Sequence, residues 1–182
     1  MLPLLPLPPN DCANTGGLRA LRVWPAANVL RLPAYAGASL TEPLVLLDVA
    51  NYADVYFLPD SAGFTEPMSA DAQGDVYKPS LQLLVARDAP DVSEAVARLS
   101  QARYFVAAYA DQNGLTKLVG TPDYPLRFTA DLDTGKRGPD RNGYAFTFAG
   151  LTRRPAPFYI AQPVGAVPTR RAFAAGFSFG FH

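Results

Sequence analysis

The segment DLDTGKRGPDRNGYAFTFAG, residues 131–150, holds the side chains whose types and spacing come nearest to a cation site. Asp131 and Asp133 are spaced like the first two ligands of an EF-hand calcium loop, where carboxylate oxygens coordinate the ion. Lys136, however, stands where that loop needs a glycine, and Asn142 stands where it needs a bidentate glutamate. The pattern therefore favours a long hairpin loop rich in turn residues, and we predict no metal ion.

Few other residues could form a catalytic set. His182 is the only histidine and the last residue, which argues against a Ser-His-Asp or Cys-His site in a cleft. Cys12 is the only cysteine, so neither an intrachain disulfide nor a multi-cysteine zinc site is expected. The sequence has no glycine-rich phosphate loop followed by lysine. We predict no catalytic residue, no cofactor and no small-molecule substrate, although paired carboxylates leave an enzyme open as a third possibility.

The composition also restricts the partners. The 182 residues include 16 lysines and arginines and 16 aspartates and glutamates, so no net charge would attract nucleic acid or an anionic membrane. No uninterrupted run of about 18 apolar residues could span a bilayer as a helix, and we expect no membrane partner. Only 18% of the residues are charged while 49% are hydrophobic, which is typical of a subunit whose surface is covered by neighbouring molecules.

Alternating apolar residues predict a mainly β fold, either a β-sandwich or a barrel-like sheet. The stretches that read as strands or short extended segments are 18–24, 29–32, 43–49, 55–58 and 81–85. Two hairpins follow, at 104–121 and at 126–148. Asn113 and Gly114 supply the positive φ that the tight turn of the first hairpin needs.

One short α-helix is predicted near residues 91–101. Val92, Ala95, Val96 and Leu99 recur at helical spacing and would form an apolar stripe on one face. Asp91 and Glu94 have the spacing of a capping box, which would satisfy backbone N–H groups at the helix start. This helix should lie with its stripe on the sheet.

Two terminal segments look like arms around a core domain at 17–150. Residues 1–16 are proline-rich and would favour a polyproline-like conformation, and residues 151–182 end in alternating phenylalanines. The opening MLPLLPLPPN lacks the basic start of a signal peptide, so we interpret it as an extended arm. The residues predicted to mediate assembly are the apolar side chains of these arms: Leu2, Leu4, Leu5, Leu7, Phe173, Phe177, Phe179 and Phe181.

The run ARYFVAAYADQNGLTKLVGTPDYPLRFTADLDTGKRGPDRNGYAFTFAGLTRRPAPFY, residues 102–159, resembles a poorly characterised family of proteins encoded in phages and prophages of Bacteroidetes-type bacteria. The motifs that carry the resemblance are the DQNG turn, the LVGT strand end, the PLRFT strand and the TG…DRNGY…F.G hairpin. These motifs are turns and strand ends rather than catalytic sets. The resemblance implies a virion or tail-associated structural protein.

Resemblance and composition together predict a non-enzymatic structural subunit of a phage tail, neck or similar tubular particle. Such a subunit would be assembled in the bacterial cytoplasm and would reside in the virion. Copies of it would form a homo-oligomeric ring, tube or filament through sheet edges and terminal arms. Other virion proteins would be further partners. The alternative is a carbohydrate- or surface-binding β-sandwich module, in which Trp24, Tyr35, Tyr52 and Tyr124 would form a stacking platform for sugars.

Overall fold

The computed structural model describes residues 14–71, 74–137 and 142–161, and within these residues the chain is mainly β with one α-helix. The strands, in chain order, are β1 Leu18–Pro25, β2 Val29–Arg31, β3 Tyr35–Ala36, β4 Ser39–Leu40, β5 Val45–Leu46, β6 Ala53–Asp54, β7 Gly63–Thr65, β8 Met68–Asp71, β9 Gly74–Tyr77, β10 Ser80–Ala86, β11 Tyr104–Asp111, β12 Thr116–Val119, β13 Leu126–Asp133, β14 Gly143–Ala149 and β15 Phe158–Tyr159. The helix, α1, spans Pro90–Ala102, and a short 3-10 helix spans Ala26–Asn28. The predicted mainly β fold with one short helix is confirmed.

Eleven of these strands form one sheet that branches at β11. β1 pairs along one edge of β11, and the other edge is shared, because β12 pairs with 107–110 and β13 pairs with 104–105. One branch continues from β12 through β15 and β4 to β3, and the other continues from β13 through β14 and β10 to β7. Within the described residues the sheet curls but does not close into a barrel.

Gly120 makes the branch possible. It follows β12, has a φ of 80°, and an added Cβ would lie 3.2 Å from Leu126 Cγ and 3.3 Å from the Phe105 carbonyl oxygen. Only a residue without a side chain adopts this conformation and tolerates this close approach without strain. The chain can therefore leave β12 and start β13 on the same edge of β11.

Both faces of β11 are buried, and they separate two apolar cores. Phe105, Ala107 and Tyr109 face the larger core, while Val106 and Ala108 face the smaller one, as the two-residue period of a strand requires. The larger core lies inside the part of the sheet that runs from β1 through β11, β13 and β14 to β10, which we call the curled branch, and it includes buried side chains of all five strands. Edge-to-face ring packing fills its centre, with Phe105 and Phe148 centroids 5.7 Å apart.

The segment 53–65 bridges the two ends of the curled branch. At one end β6 pairs with β1, and the Val55 N–H donates to the Leu21 carbonyl at 2.9 Å. At the other end β7 pairs with β10, and the Leu58 N–H donates to the Leu84 carbonyl at 2.8 Å. Backbone groups at both ends of the branch are thereby partly satisfied, which limits the exposed edge.

α1 covers an open side of the larger core, with Val92, Val96 and Leu99 half-buried against it. The predicted stripe is thus confirmed for these three residues, whereas Ala95 is exposed. The predicted capping box is wrong. The N-cap residue is Ala89, and the helix starts with Pro90, whose fixed φ suits the first helical position.

Different contacts hold the side chains that were assigned to that capping box. The Glu94 carboxylate pairs with Arg98 one turn later at 2.6 Å, and the Asp91 carboxylate accepts a hydrogen bond from the Val92 N–H.

Asp88, which precedes the helix, holds the helix start in place. Its carboxylate accepts hydrogen bonds from the Ser93 hydroxyl at 2.7 Å and the Tyr144 hydroxyl at 2.9 Å. These bonds lower the pKa of Asp88 and fasten the helix start to β14.

Both predicted hairpins are present, as β11–β12 and β13–β14. In the first turn the Asp111 carboxylate accepts a hydrogen bond from the Leu115 N–H at 2.7 Å. The predicted positive φ is found at Gly114, which has a φ of 84°, but not at Asn113. The boundary placed at residue 150 is too early, because β15 joins the main sheet and Tyr159 is fully buried. The packed body therefore includes residues up to 161, and most of the predicted C-terminal arm lies outside the described residues.

Replacing Gly143 with alanine should destabilise the fold, because a Cβ there would lie 2.2 Å from the Val85 carbonyl oxygen in the β10–β14 ladder. Overpacking of this kind lowers the free energy of unfolding by about 1–3 kcal/mol, which urea denaturation would measure. Gly63→Ala is the matched control, since nothing lies within 4 Å of its Cβ position. Equal effects of the two substitutions would contradict the close approach.

Candidate functional site

The loop that follows β5 is held in place by one buried side chain, Asn28. Its amide nitrogen donates to the carbonyl oxygens of Asp48 at 2.8 Å and Asn51 at 2.9 Å, and its amide oxygen accepts from the Asp48 N–H at 2.9 Å. The Asn28 carbonyl also accepts a hydrogen bond from the Leu47 N–H. Asn28 is only 3% exposed, so these bonds compensate the cost of burying a polar side chain.

Other bonds fix the two ends of this loop. The Leu44 N–H, just before β5, donates to the hydroxyl of buried Tyr159 at 3.0 Å. Inside the loop the Asp48 carboxylate accepts a hydrogen bond from the Ala50 N–H at 2.9 Å. The backbone of residues 44–51 is therefore held at both ends and in the middle.

This fixed backbone presents apolar side chains to solvent. Leu47 is 72% exposed and Val49 is 77% exposed, and Val45 and Tyr52 are exposed as well. We call residues 45–52 the apolar loop. Single exposed apolar residues are ordinary on protein surfaces, but several on a short, rigid segment indicate a contact surface.

A second surface feature is a cleft of about 500 Å³ on the β12–β15 branch, which we call the tyrosine cleft. Two aromatic rings, those of Tyr35 and Tyr124, form walls of the cleft, and an arginine lies over each ring. The guanidinium of Arg154 is 5.4 Å from the centroid of the Tyr35 ring. The guanidinium of Arg153 is 5.8 Å from the centroid of the Tyr124 ring. The prolines that line it are Pro33, Pro122, Pro155 and Pro157. The cleft thus combines rigid apolar walls with two cations at its rim.

Glu66 is the acidic side chain most closely held in this cleft. Its carboxylate accepts the Ala156 N–H, at 2.9 Å to one oxygen and 3.2 Å to the other. Burial raises the pKa of Glu66, and the Ala156 N–H and Lys117 oppose that rise. Glu66 therefore fixes the 155–157 wall of the cleft at some cost in solvation.

A second cavity, of about 570 Å³, lies between α1 and the 51–56 segment. The charged side chains that line it are Asp54, Asp91 and Arg98. Asp54 makes a two-pronged ion pair at 2.6 and 2.9 Å with Arg22, which lies 4.1 Å from the centroid of the Tyr52 ring. The hydrogen bond to Asp54 raises the pKa of Arg22. Arg98 pairs with Glu94, and the Asp91 carboxylate accepts the Val92 N–H.

The predicted site residues fall in different places. All eight assembly residues of the arms lie outside the described residues. Asp131 and Asp133 lie on exposed parts of β13, and the Asp133 carboxylate accepts the Gly135 N–H at 2.9 Å, which is a turn contact. Across the described ranges no group of three His, Cys, Asp or Glu side chains could hold a metal ion.

The four aromatics of the predicted sugar platform do not lie together. Trp24 is buried in the smaller core and cannot offer a face to a ligand. Tyr52 lies at the cavity below α1, while Tyr35 and Tyr124 share the tyrosine cleft. A four-ring platform is therefore wrong, and two of its members form a different surface.

Both described chain ends lie at one end of the body. The Thr15 N–H donates to the Asn113 side chain at 3.0 Å, at the tip of the β11–β12 hairpin. β15 runs antiparallel to β12, and Ile160 lines a small surface cleft with Gly114 and Leu115 beside the same tip. Residues before 14 and after 161 therefore continue from neighbouring points.

Asn28→Ala should loosen the apolar loop, because three side-chain hydrogen bonds are lost and the backbone groups they satisfied stay partly buried. We expect the free energy of unfolding to fall by about 2–3 kcal/mol, with faster amide exchange at Asp48. Asn51→Ala is the control, since Asn51 takes part here through its backbone N–H and carbonyl groups, which alanine keeps. A loss no larger than that of the control would show that Asn28 does not hold the loop.

Glu66→Gln should stabilise the protein at pH 7 but not at pH 3. Folding raises the pKa of Glu66 above its ordinary value of 4.5, so its contribution to stability is full below that value and is lost as pH rises through the folded value. Glutamine keeps an oxygen for the Ala156 N–H without the buried charge. Thermal unfolding of both proteins across this pH range tests this, with exposed Glu42→Gln as control. A gain that is the same at both pH values would contradict it.

Among residues 14–71, 74–137 and 142–161, no helix is long and apolar enough to cross a membrane. Comparison with known proteins found no matching protein-family model, no matching curated protein and no matching solved structure. The resemblance of residues 102–159 to a phage protein family therefore stays a prediction that rests on its turn and strand motifs.

Proposed function

We propose that this protein is a non-enzymatic structural subunit of a phage tail, neck or similar tubular particle, and that it assembles with further copies of itself and with other virion proteins. The apolar loop is the observation that carries this proposal. A subunit interface needs an apolar centre on a backbone that does not lose much entropy on binding. Leu47 and Val49 supply the apolar centre. The hydrogen bonds of Asn28 hold the backbone in place before binding.

Sheet edges offer less to such an assembly than side chains do. The strands at the described ends of the main sheet, β3, β6 and β7, are two or three residues long. Edges this short present few unpaired backbone groups to a neighbour. We therefore assign the main contact to the apolar loop, with the leucines of residues 1–16 and the phenylalanines of residues 170–182 as additional contacts.

The alternative, a carbohydrate- or surface-binding module, has narrower support. Only Tyr35 and Tyr124 share a cleft, and an arginine lies over each ring. A sugar-binding role for the tyrosine cleft would also give no function to the exposed side chains of the apolar loop.

Leu47→Asp combined with Val49→Asp should prevent assembly while leaving the body folded, because both side chains are more than two-thirds exposed in the subunit. Light scattering over a concentration series, with negative-stain microscopy, would measure the particles. We expect the concentration needed for assembly to rise by at least about tenfold, since burying each side chain is worth ~1.5–3 kcal/mol.

Leu132→Asp and Leu151→Asp are matched controls, since both leucines are about half exposed and lie outside the apolar loop. Circular dichroism would verify that all variants fold. Particles that form equally well from the double variant would refute a role for this loop. A wild-type chain that stays monomeric at every concentration, alone and with virion proteins, would refute the structural proposal itself.

A further inference from the structure

The N-terminal sequence has a three-residue period that the body does not explain. MLPLLPLPPN has prolines at positions 3, 6, 8 and 9, and the three at 3, 6 and 9 form a PxxPxxP pattern. A polyproline helix has three residues per turn, so these prolines would form one ridge, flanked by the ridges of Leu4 with Leu7 and of Leu2 with Leu5. Such a segment loses little entropy on binding, because proline already fixes its backbone.

The tyrosine cleft has the chemistry that recognises this kind of segment. Proline-rich helices bind in grooves whose walls are aromatic rings, where the flat rings pack on the rigid pyrrolidines. Tyr35 and Tyr124 supply two such walls, and Glu66 fixes the chain between β14 and β15 that forms part of the cleft. Both tyrosines are about 40% exposed, so each ring keeps an open part beside the arginine that lies over it.

The charges at the rim fit the same segment. Arg31, Arg153 and Arg154 line the cleft, against Glu66 and Asp123. The ion pairs found within the described part of the chain involve other residues, Arg22 with Asp54 and Arg98 with Glu94. Asp11 follows the proline ridge by two residues and would lie near this excess of positive charge.

The position of residue 14 favours a cleft on a neighbouring subunit. Residue 14 is beside Asn113, whereas Gly120, in the cleft, is seven residues further along the hairpin, about 20 Å at the rise of a strand. Five Cα–Cα steps separate residue 14 from Pro9, which is about 17 Å when the chain is fully extended. Pro9 of the same chain therefore reaches only the near part of the cleft, whereas the arm of a neighbouring subunit can place the complete proline ridge in it.

We propose that the tyrosine cleft is the docking site for the proline-rich segment, residues 2–9, of a neighbouring copy of this chain. The inference rests on the proposed self-assembly and gives the N-terminal arm a specific receptor. Tyr35 and Tyr124 pack on the proline ridge, and the leucine ridges cover the apolar floor near Leu32 and Leu118. The arm of each subunit thus links it to the next.

A cross-linking experiment between full-length chains tests the contact and its direction. One chain carries Leu4→Cys with Cys12→Ser, and the other carries Asp123→Cys with Cys12→Ser, which places a thiol at the cleft. After mixing and mild oxidation, we expect a covalent dimer on a non-reducing gel. An Ala97→Cys chain, with its thiol on the exposed face of α1, is the control and should give much less dimer.

A binding experiment isolates the recognition itself. A fluorescent peptide of residues 1–13, with serine at position 12, is titrated into a full-length chain whose own arm carries Pro3→Ala, Pro6→Ala and Pro9→Ala. We expect saturable binding that weakens by about tenfold or more when Tyr124→Ala is added. Tyr56→Ala, at the other cavity, should change it little. A peptide with the same three prolines replaced should also bind about tenfold more weakly.

The outcomes separate this inference from the proposed function. Particles that form without any preferential cross-link to Asp123→Cys, and without peptide binding, would overturn the docking site and leave self-assembly intact. Peptide binding that does not depend on Tyr124 or on the three prolines would overturn it as well. A dimer in the mixture together with Tyr124-dependent peptide binding would establish it, even if the particle proved not to be a phage tail.

Discussion

The structure depends on the burial of β11 on both faces and its pairing on both edges. A strand in this position can carry no charged side chain along its centre, and residues 105–110 are all buried. Ala107, Ala108 and Ala110 are small enough to let two layers approach it from either side. Since β12 and β13 must share one edge, the sheet divides, and each branch forms a core with a different face of the same strand.

This division places the two candidate surfaces on the same side of β11. The smaller core joins Trp24, Val29, Leu44 and Tyr159, and these residues precede or support the chain segments that form the apolar loop and the tyrosine cleft. The larger core, by contrast, is closed over by α1 and the 53–65 segment. A small set of buried contacts, above all those of Asn28 and Tyr159, therefore holds the two candidate surfaces in shape.

Local patterns in the sequence were enough to predict the mainly β class, both hairpins and the helix, because each depends on residues close together in the chain. The capping box failed because Pro90 could start the helix without it, and Asp88 bonds instead to Ser93 and to Tyr144, 56 residues away. The sequence pattern of residues 43–49 predicts only an extended segment and does not indicate the apolar loop. Its fixed shape depends on Asn28, 20 residues earlier, and no local pattern reveals that partner.

In the proposed assembly, the placement of the exposed apolar residues would limit uncontrolled association. Long, unpaired sheet edges pair with any similar edge, whereas here the described edges are short and the bridging segment satisfies part of them. Apolar side chains on a rigid loop need a partner of complementary shape, and a proline-rich segment needs a groove of matching period. Association that relies on both features selects one neighbour in one orientation, which is what a closed ring or a regular tube requires.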